Sequence, residues 1–282
     1  MSTNEDIVQG IDHLIVMVRD LDRAERIWQS LGFATTPRGF HRTGGTANHL
    51  IMLDRTYIEL LGSSGQPSAA AAYSDMMADP GLWGTALRGS AQALFQLWSA
   101  AGLQPSTPVD LARGVEIEGR DEVARFRLAM LERTPELPFL LFCCEHVTPQ
   151  FVWHPGVARH PNGARRLREL IVLAESGATR SSLERVLGRP ATGSAGGAVL
   201  RLGESRISLL SAASFEQRFR QAPRFGTRRE PLLAGFGLAS DNLNRAREFA
   251  ERAGHRVWET VEGGFFVHLP DEGVMIEWSS EQ

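Results

Sequence analysis

The chain has 282 residues, 43% hydrophobic and 22% charged, which is the make-up of an ordinary globular protein and the length of one large or two small domains. Its formal net charge of -3 excludes the basic footprint of a nucleic-acid binder and offers nothing to an anionic membrane surface, which leaves a small, mostly neutral molecule as the expected partner. No apolar run approaches the roughly 20 residues of a membrane helix, and the opening MSTNEDIVQG is polar and acidic rather than a basic-then-apolar leader, so the expected location is the cytoplasm.

In chain order, the first unit starts with the run IDHLIVMV after Gly10. A helix follows, with Leu21, Ala24, Ile27, Trp28 and Leu31 at helical spacing and Gly32 where a C-terminal cap belongs. Two short β-type runs, TANHLIML and TYIELLG, then form a hairpin around Asp54 and Arg55. Ser63 to Asp79 adds a short helix. The same pattern recurs in LRGSAQALFQLWSAAG, with Trp98 and Gly102 in the places of Trp28 and Gly32, followed by RFRLAML and FLLFCC. The adjacent Cys143 and Cys144 of that last run point to opposite faces of a strand, which excludes a disulfide framework and fits buried thiols. A third copy, ELIVLAESGATRSSLERVLG, ends at Gly188 and continues with AVLRLG and SRISLLSA, lacking part of its sheet. In the fourth, Leu243, Arg245, Ala246 and Gly254 repeat Leu21, Arg23, Ala24 and Gly32, and MIEW repeats YIEL.

Four such units in order make the period a property of the fold. The modules lie near residues 8–62, 81–147, 166–212 and 232–280, joined by turn-rich segments such as HPGVARHPNGARR. The predicted fold class is α+β: four βαβββ modules paired into two curved mixed β-sheet half-barrels with helices on the outside. An N-terminal module pair (1–150) carries the active site, 151–165 is a linker, and 166–282 is the C-terminal pair.

Strand alternation sends Leu14, Val16 and Val18 toward the helix and His13, Ile15 and Met17 to the other face, where two paired modules enclose a cleft. His13 is the polar member of that inward set, and Glu59 interrupts YIELLG on the last strand. Each alone fits a structural residue, a satisfied core histidine or a carboxylate at a sheet edge. Together on matching faces they fit a divalent metal, because a carboxylate among apolar neighbours is costly unless paired or bound to a cation, and imidazole plus carboxylate suit zinc, manganese, iron or nickel. The other modules offer Trp83, Glu169 and Gly235 in the place of His13, and the third and fourth offer Ser208 and Glu277 in the place of Glu59. Only the first module keeps both groups, although Glu169 and Glu277 form a possible second carboxylate site.

GIDHLIVMVRDLDRAERIWQSLGF with GTANHLIMLDRTYIELLG, followed by FCCEH, FVWHP and RHPNGARRL, resembles the glyoxalase-like domain proteins of the vicinal oxygen chelate superfamily, over residues 8 to 215. The resemblance implies a divalent metal held by residues on the first and last strands of paired modules, which chelates vicinal oxygens of a small-molecule substrate. His13 and Glu59 match those ligands. Trp83 cannot ligate, so the resemblance moves the third ligand to the end of the second module, at His146, with Glu145 as the alternative and a candidate catalytic group.

His49 is a ligand, a general base or a core residue according to the hairpin: a two-residue turn puts it on the helix side, and a three-residue turn including Thr56 puts it beside Glu59. Trp83, Arg113 and Trp153 are candidate substrate-binding residues, and His154 and His160 are structural or rim residues. The leading expectation is a metal-dependent isomerase or lyase. The alternatives are an iron-dependent extradiol-type ring-cleaving dioxygenase and a metal-free binding protein of the sequestration or resistance type. A homodimer is compatible with the fold.

Overall fold

The computed structural model describes residues 7–41, 45–65, 73–117, 119–153, 159–175, 177–194, 196–220, 225 and 228–281. The N-terminal half runs β1 (Gly10–Met17), α1 (Leu21–Ser30), β2 (Gly39–Phe40), β3 (Thr46–Met52), β4 (Tyr57–Ser63), α2 (Ser74–Ala78), β5 (Gly81–Arg88), α3 (Ala91–Ala100), β6 (Val109–Ile117), β7 (Arg120–Met130) and β8 (Leu140–His146). The C-terminal half runs β9 (Ala164–Leu173), α4 (Gly177–Leu187), β10 (Thr192–Ser194), β11 (Gly197–Leu202), β12 (Ser205–Leu210), α5 (Ala212–Arg218), β13 (Leu232–Ser240), α6 (Leu243–Arg252), β14 (Trp258–Glu259), β15 (Phe265–Leu269) and β16 (Val274–Ser280).

Each half is one eight-stranded mixed sheet, in the order β2-β3-β4-β1-β5-β8-β7-β6 and β10-β11-β12-β9-β13-β16-β15-β14. Each sheet is therefore a pair of βαβββ modules. Within a module the first and last strands are parallel, as in β1 with β4, and the two modules join through their first strands, β1 antiparallel to β5 and β9 antiparallel to β13. The third module proves complete. Its missing strand is β10, whose sequence TGS contains no apolar side chain and so left no pattern to read.

The repeated helices start and stop for local reasons. The Asp20 side chain accepts the Arg23 amide at 3.0 Å and that of Asn242 accepts the Arg245 amide at 3.0 Å, satisfying amides that the first helical turn leaves free. Helices α1, α3, α4 and α6 end within two residues of Gly32, Gly102, Gly188 and Gly254; Gly32 has φ 80°, a left-handed conformation that a side chain would disfavour. These helices cover the convex faces of both sheets, and the convex faces share one core. In that core Trp28 stacks on Phe236 at 6.3 Å between ring centroids, and the Trp98 indole donates to the Val186 carbonyl at 2.8 Å. Each concave face has a core of its own. Among the described residues no helix is long and apolar enough to cross a membrane.

Candidate functional site

The concave face of the N-terminal half holds a cavity of about 220 Å³. Its polar end comes from the first module, with His13, His41, Thr46, Asn48 and Glu59; its opposite wall is apolar and comes from the second, through residues such as Leu111, Phe126, Leu128 and Phe142.

Strand β1 alternates as its sequence dictates from residue 13 onward, with Leu14 and Val16 under the helices and Ile15 and Met17 on the concave side. One step earlier the pattern breaks. Ile11 pairs with Leu87 and His13 with Ala86, so Asp12 is the extra residue of a β-bulge. The bulge turns the fully buried Asp12 to the same side as His13. His13 Nδ1 lies 2.8 Å and His146 Nε2 3.0 Å from the same oxygen, Asp12 Oδ1. Burial alone would raise the Asp12 carboxyl, but hydrogen bonds from His13 and His146 hold it at about 2. An ionised carboxylate only accepts, so both of those ring nitrogens carry the proton. The proton on Nδ1 leaves the His13 Nε2 lone pair facing the cavity, 3.8 Å from Glu59 Oε2. Tyr57 stacks on the His13 ring at 4.4 Å and 13° and fixes its plane.

Glu59 is buried. Its Oε1 accepts from Asn48 Nδ2 at 2.6 Å and lies 3.7 Å from His41 Nε2. No guanidinium reaches it among the described residues, and the chain has no lysine. A buried carboxylate with one neutral donor and two imidazoles for company is a donor set that fits a divalent cation. On its other side, His13 with Asp12 and Cys144 also offers three ligand atoms within 4.8 Å of one another. That second set is already in use, since Asp12 Oδ1 takes two N–H donors and burial pushes the Cys144 thiol well above its ordinary pKa.

The remaining sequence candidates separate by face. Cys144 and His146 lie on the concave side of β8, whereas Glu145 points to the helices: its Oε2 accepts the Ala91 amide at 2.8 Å, at the positive end of α3. His146 reaches Asp12 rather than the His13–Glu59 pair, and its ring packs on Trp153 at 4.4 Å beside a second, polar recess that Arg88 also lines. His49 is corrected. The Leu53 amide bonds to the Thr56 carbonyl at 2.8 Å, closing a two-residue loop, and His49 faces the helix side, with Nδ1 2.9 Å from the Thr36 carbonyl oxygen and 3.5 Å from Glu25. It therefore cannot serve the cavity as ligand or base.

Arg113 lines the cavity. Trp83 does not: its indole donates to the Asp79 carbonyl at 2.7 Å and its ring faces Arg228. Trp153 belongs to the recess beyond Asp12. His160 is structural, bonded to Met52 O at 2.7 Å and to the Ala34 amide at 3.0 Å, and His154 lies outside the described residues. Sequence reasoning missed Asp12, His41, Asn48 and Cys144. Only Asn48 and Cys144 carried a usable signal, sharing by alternation the faces of Leu50 and His146.

In the C-terminal half the equivalent place is filled. Helix α5 lays Phe215 and Phe219 into the concave face, and Arg218 donates to Glu169 at 2.8 and 2.6 Å and to Glu277 at 2.7 Å. Burial would raise Glu169, but two bonds from Arg218 and one from Arg206 hold it at about 2; Glu277, with one bond and the Glu169 charge beside it, is pushed by burial up to about 7. The possible second carboxylate site is thus occupied by the chain's own cation.

The full-length frame matches known structures. A hypothetical protein from Staphylococcus aureus superimposes with a TM-score of 0.67 at 11% identity, covering 96% of this chain and 99% of that one. A mutant of 4-hydroxymandelate synthase from Streptomyces coelicolor gives 0.63 at 13% identity, covering 98% and 94%. A variant of homoprotocatechuate 2,3-dioxygenase from B. fuscum gives 0.59 at 12% identity, covering 98% and 72%. At these identities the likeness is one of fold. No curated protein matches the sequence. The family model described as glyoxalase-like domain matches residues 11–187, more than half of the chain. With the paired βαβββ frame around that match, the chain belongs to the glyoxalase-like domain family of the vicinal oxygen chelate superfamily.

Proposed function

We propose that the N-terminal half is a divalent-metal-dependent enzyme of the isomerase or lyase type, acting on a small oxygenated organic molecule. The observation that carries the reading is Glu59, a buried carboxylate with no guanidinium beside it among the described residues, facing the Nε2 of His13 across 3.8 Å. His13 Nε2 and Glu59 would hold the ion. When bound, the ion supplies Lewis-acid polarisation of a substrate oxygen. Asp12 holds the His13 tautomer from behind, His146 holds Asp12, and Tyr57 fixes the ring plane, the supporting arrangement that orients a ligating imidazole. In place of His49 and Glu145, His41 Nε2 is the group positioned to move a proton at the cavity's polar end. The apolar wall from the second module keeps water from the reacting oxygens.

The test is a metal inventory of the purified protein, with anomalous scattering to locate the ion. One divalent ion per chain at His13 and Glu59, stripped by His13→Ala with unchanged circular dichroism, is the expected result. Absence of any ion after purification and after reconstitution would replace this reading with metal-free binding of a small molecule. If iron is the ion, oxygen uptake with a catechol separates ring cleavage from isomerase or lyase chemistry.

A further inference from the structure

We infer that the cavity selects a small organic carboxylate: an apolar-bodied acid whose carboxylate is held by Arg113. The orientation of its other oxygen function toward His13 and Glu59 rests on the metal reading above; the carboxylate assignment does not.

Every permanent side-chain cation in this chain is a guanidinium, since the sequence contains no lysine. Other half-buried arginines are engaged, Arg218 by Glu169 and Glu277, Arg88 by Asp12, and Arg228 by the backbone carbonyls of Leu82, Leu233 and Gly273. Among the described residues Arg113 is the one permanent cation in the cavity lining, and it makes no ion pair with any of them. Its Cζ lies 5.7 Å from the Phe126 ring, and no hydrogen bond to a described residue engages its N–H donors. Those donors have room. A Cβ on Gly39 would stand 3.6 Å from Arg113 Nη1 and 2.5 Å from Asn48 Oδ1, so the glycine keeps open the gap between Arg113, on edge strand β6, and the polar end at β2 and β3.

A single guanidinium presents a two-pronged donor edge that matches one carboxylate, and with no second permanent cation among the described lining residues the charge of a phosphate dianion would be only half compensated. Around it the wall is hydrocarbon: Leu111, Phe126, Leu128, Leu140 and Phe142. The volume of about 220 Å³ falls below the roughly 300 to 1,000 Å³ of pockets for drug-sized ligands, which limits the body to a single ring or a short chain.

The probe is 3-phenylpropanoate against its uncharged partner 3-phenylpropanamide, titrated calorimetrically into the chelator-treated full-length protein. The acid is expected to bind at least tenfold tighter than the amide. Arg113→Met should abolish that preference while leaving amide affinity unchanged, and Arg113→Lys should keep part of it; the amide titration reports whether each variant retains its cavity. Equal affinities in the wild type, no saturable binding of the acid, a preference that survives Arg113→Met, or tighter binding of phenyl phosphate than of the acid each overturns the assignment. Because the measurement is made without metal, failure of the metal reading leaves the expected preference intact. Conversely, loss of the preference leaves metal binding by His13 and Glu59 untouched.

Discussion

Replacing Glu59 by Gln keeps the shape of the side chain and its bond from Asn48 but removes the charge, and it should make the metal-free protein more stable, not less. Among the described residues the carboxylate is buried, has no guanidinium partner, and meets only one neutral donor within hydrogen-bond distance. Relief of such imperfectly compensated burial is worth about 1 to 3 kcal/mol, or a rise in melting temperature of about 2 to 4 °C for each kcal/mol in a chain approaching this size. Metal acts in the opposite direction on the wild type: at 100 times its dissociation constant a ligand that binds only the folded state adds about 2.7 kcal/mol. The two proteins should therefore exchange rank. In chelator Glu59→Gln melts above the wild type; with saturating manganese, zinc, iron or nickel the wild type rises to or past the variant, which does not respond. Differential scanning calorimetry at both conditions reads this directly. A variant that melts lower than the wild type in chelator, together with a wild type indifferent to every metal tried, would show that Glu59 is a structural acceptor for Asn48 and that the reasoning from its missing cation is wrong.

Asp12→Asn should lower metal affinity by roughly 10- to 100-fold without removing any ligand, because an amide no longer holds His13 in its Nδ1–H tautomer; isothermal titration with zinc checks it. His49→Ala should leave metal affinity unchanged and lower stability by about 1 to 3 kcal/mol in urea, through the Thr36 carbonyl left unsatisfied under α1. Arg218→Met should cost about 3 to 5 kcal/mol by leaving Glu277 buried without a cation and Glu169 with Arg206 alone, and adding Glu169→Gln and Glu277→Gln should restore a large part of that loss in the same urea series.

The module period was legible because three independent signals agree in each copy: a helix with its apolar stripe, a glycine at its end, and β-type runs on both sides. Those signals come from local chemistry, and packing does not override them. The pairing of His13 with Glu59 on one face also followed from alternation alone, as did the opposite facing of Glu145 and His146 on β8, although His146, the expected third ligand, instead reaches Asp12. What alternation could not show is where it fails. Strict alternation would put Asp12 on the helix side, and a bulge leaves no mark in IDHLIVMV, so the group that positions His13 was missed. His49 turned on a single residue of loop length, which shifts a strand to its other face. His41 follows the two-residue strand β2, too short to carry any period. Local rules thus reach the faces of long strands and stop at bulges, loops and edge strands, where much of this site is assembled.

The two halves solve the same electrostatic problem differently, and the difference bears on function. Glu169 on β9, in the third module, takes the place that His13 has on β1, and Glu277 on β16, in the fourth, takes the place that Glu59 has on the last strand of the first. Both frames therefore put a carboxylate on the concave face of a curved sheet, beneath apolar neighbours, where a charge is tolerated only with a counter-charge. In the C-terminal half the counter-charge is tethered: α5 follows directly after β12, brings Arg218 onto both glutamates and closes the remaining space with Phe215 and Phe219. In the N-terminal half the corresponding hairpin is followed by a segment that reaches the cavity with Tyr73, which carries no charge to offer, and the space stays open. A tethered cation makes a carboxylate part of the scaffold, since it can neither leave nor be replaced. Glu59 lacks one, and sits instead against a histidine whose proton is held on the far nitrogen by Asp12. Concave-face carboxylates are thus locked by a tethered arginine in one half and left without one among the described residues in the other, which is the division of labour expected if chemistry belongs to the first module pair and support to the second.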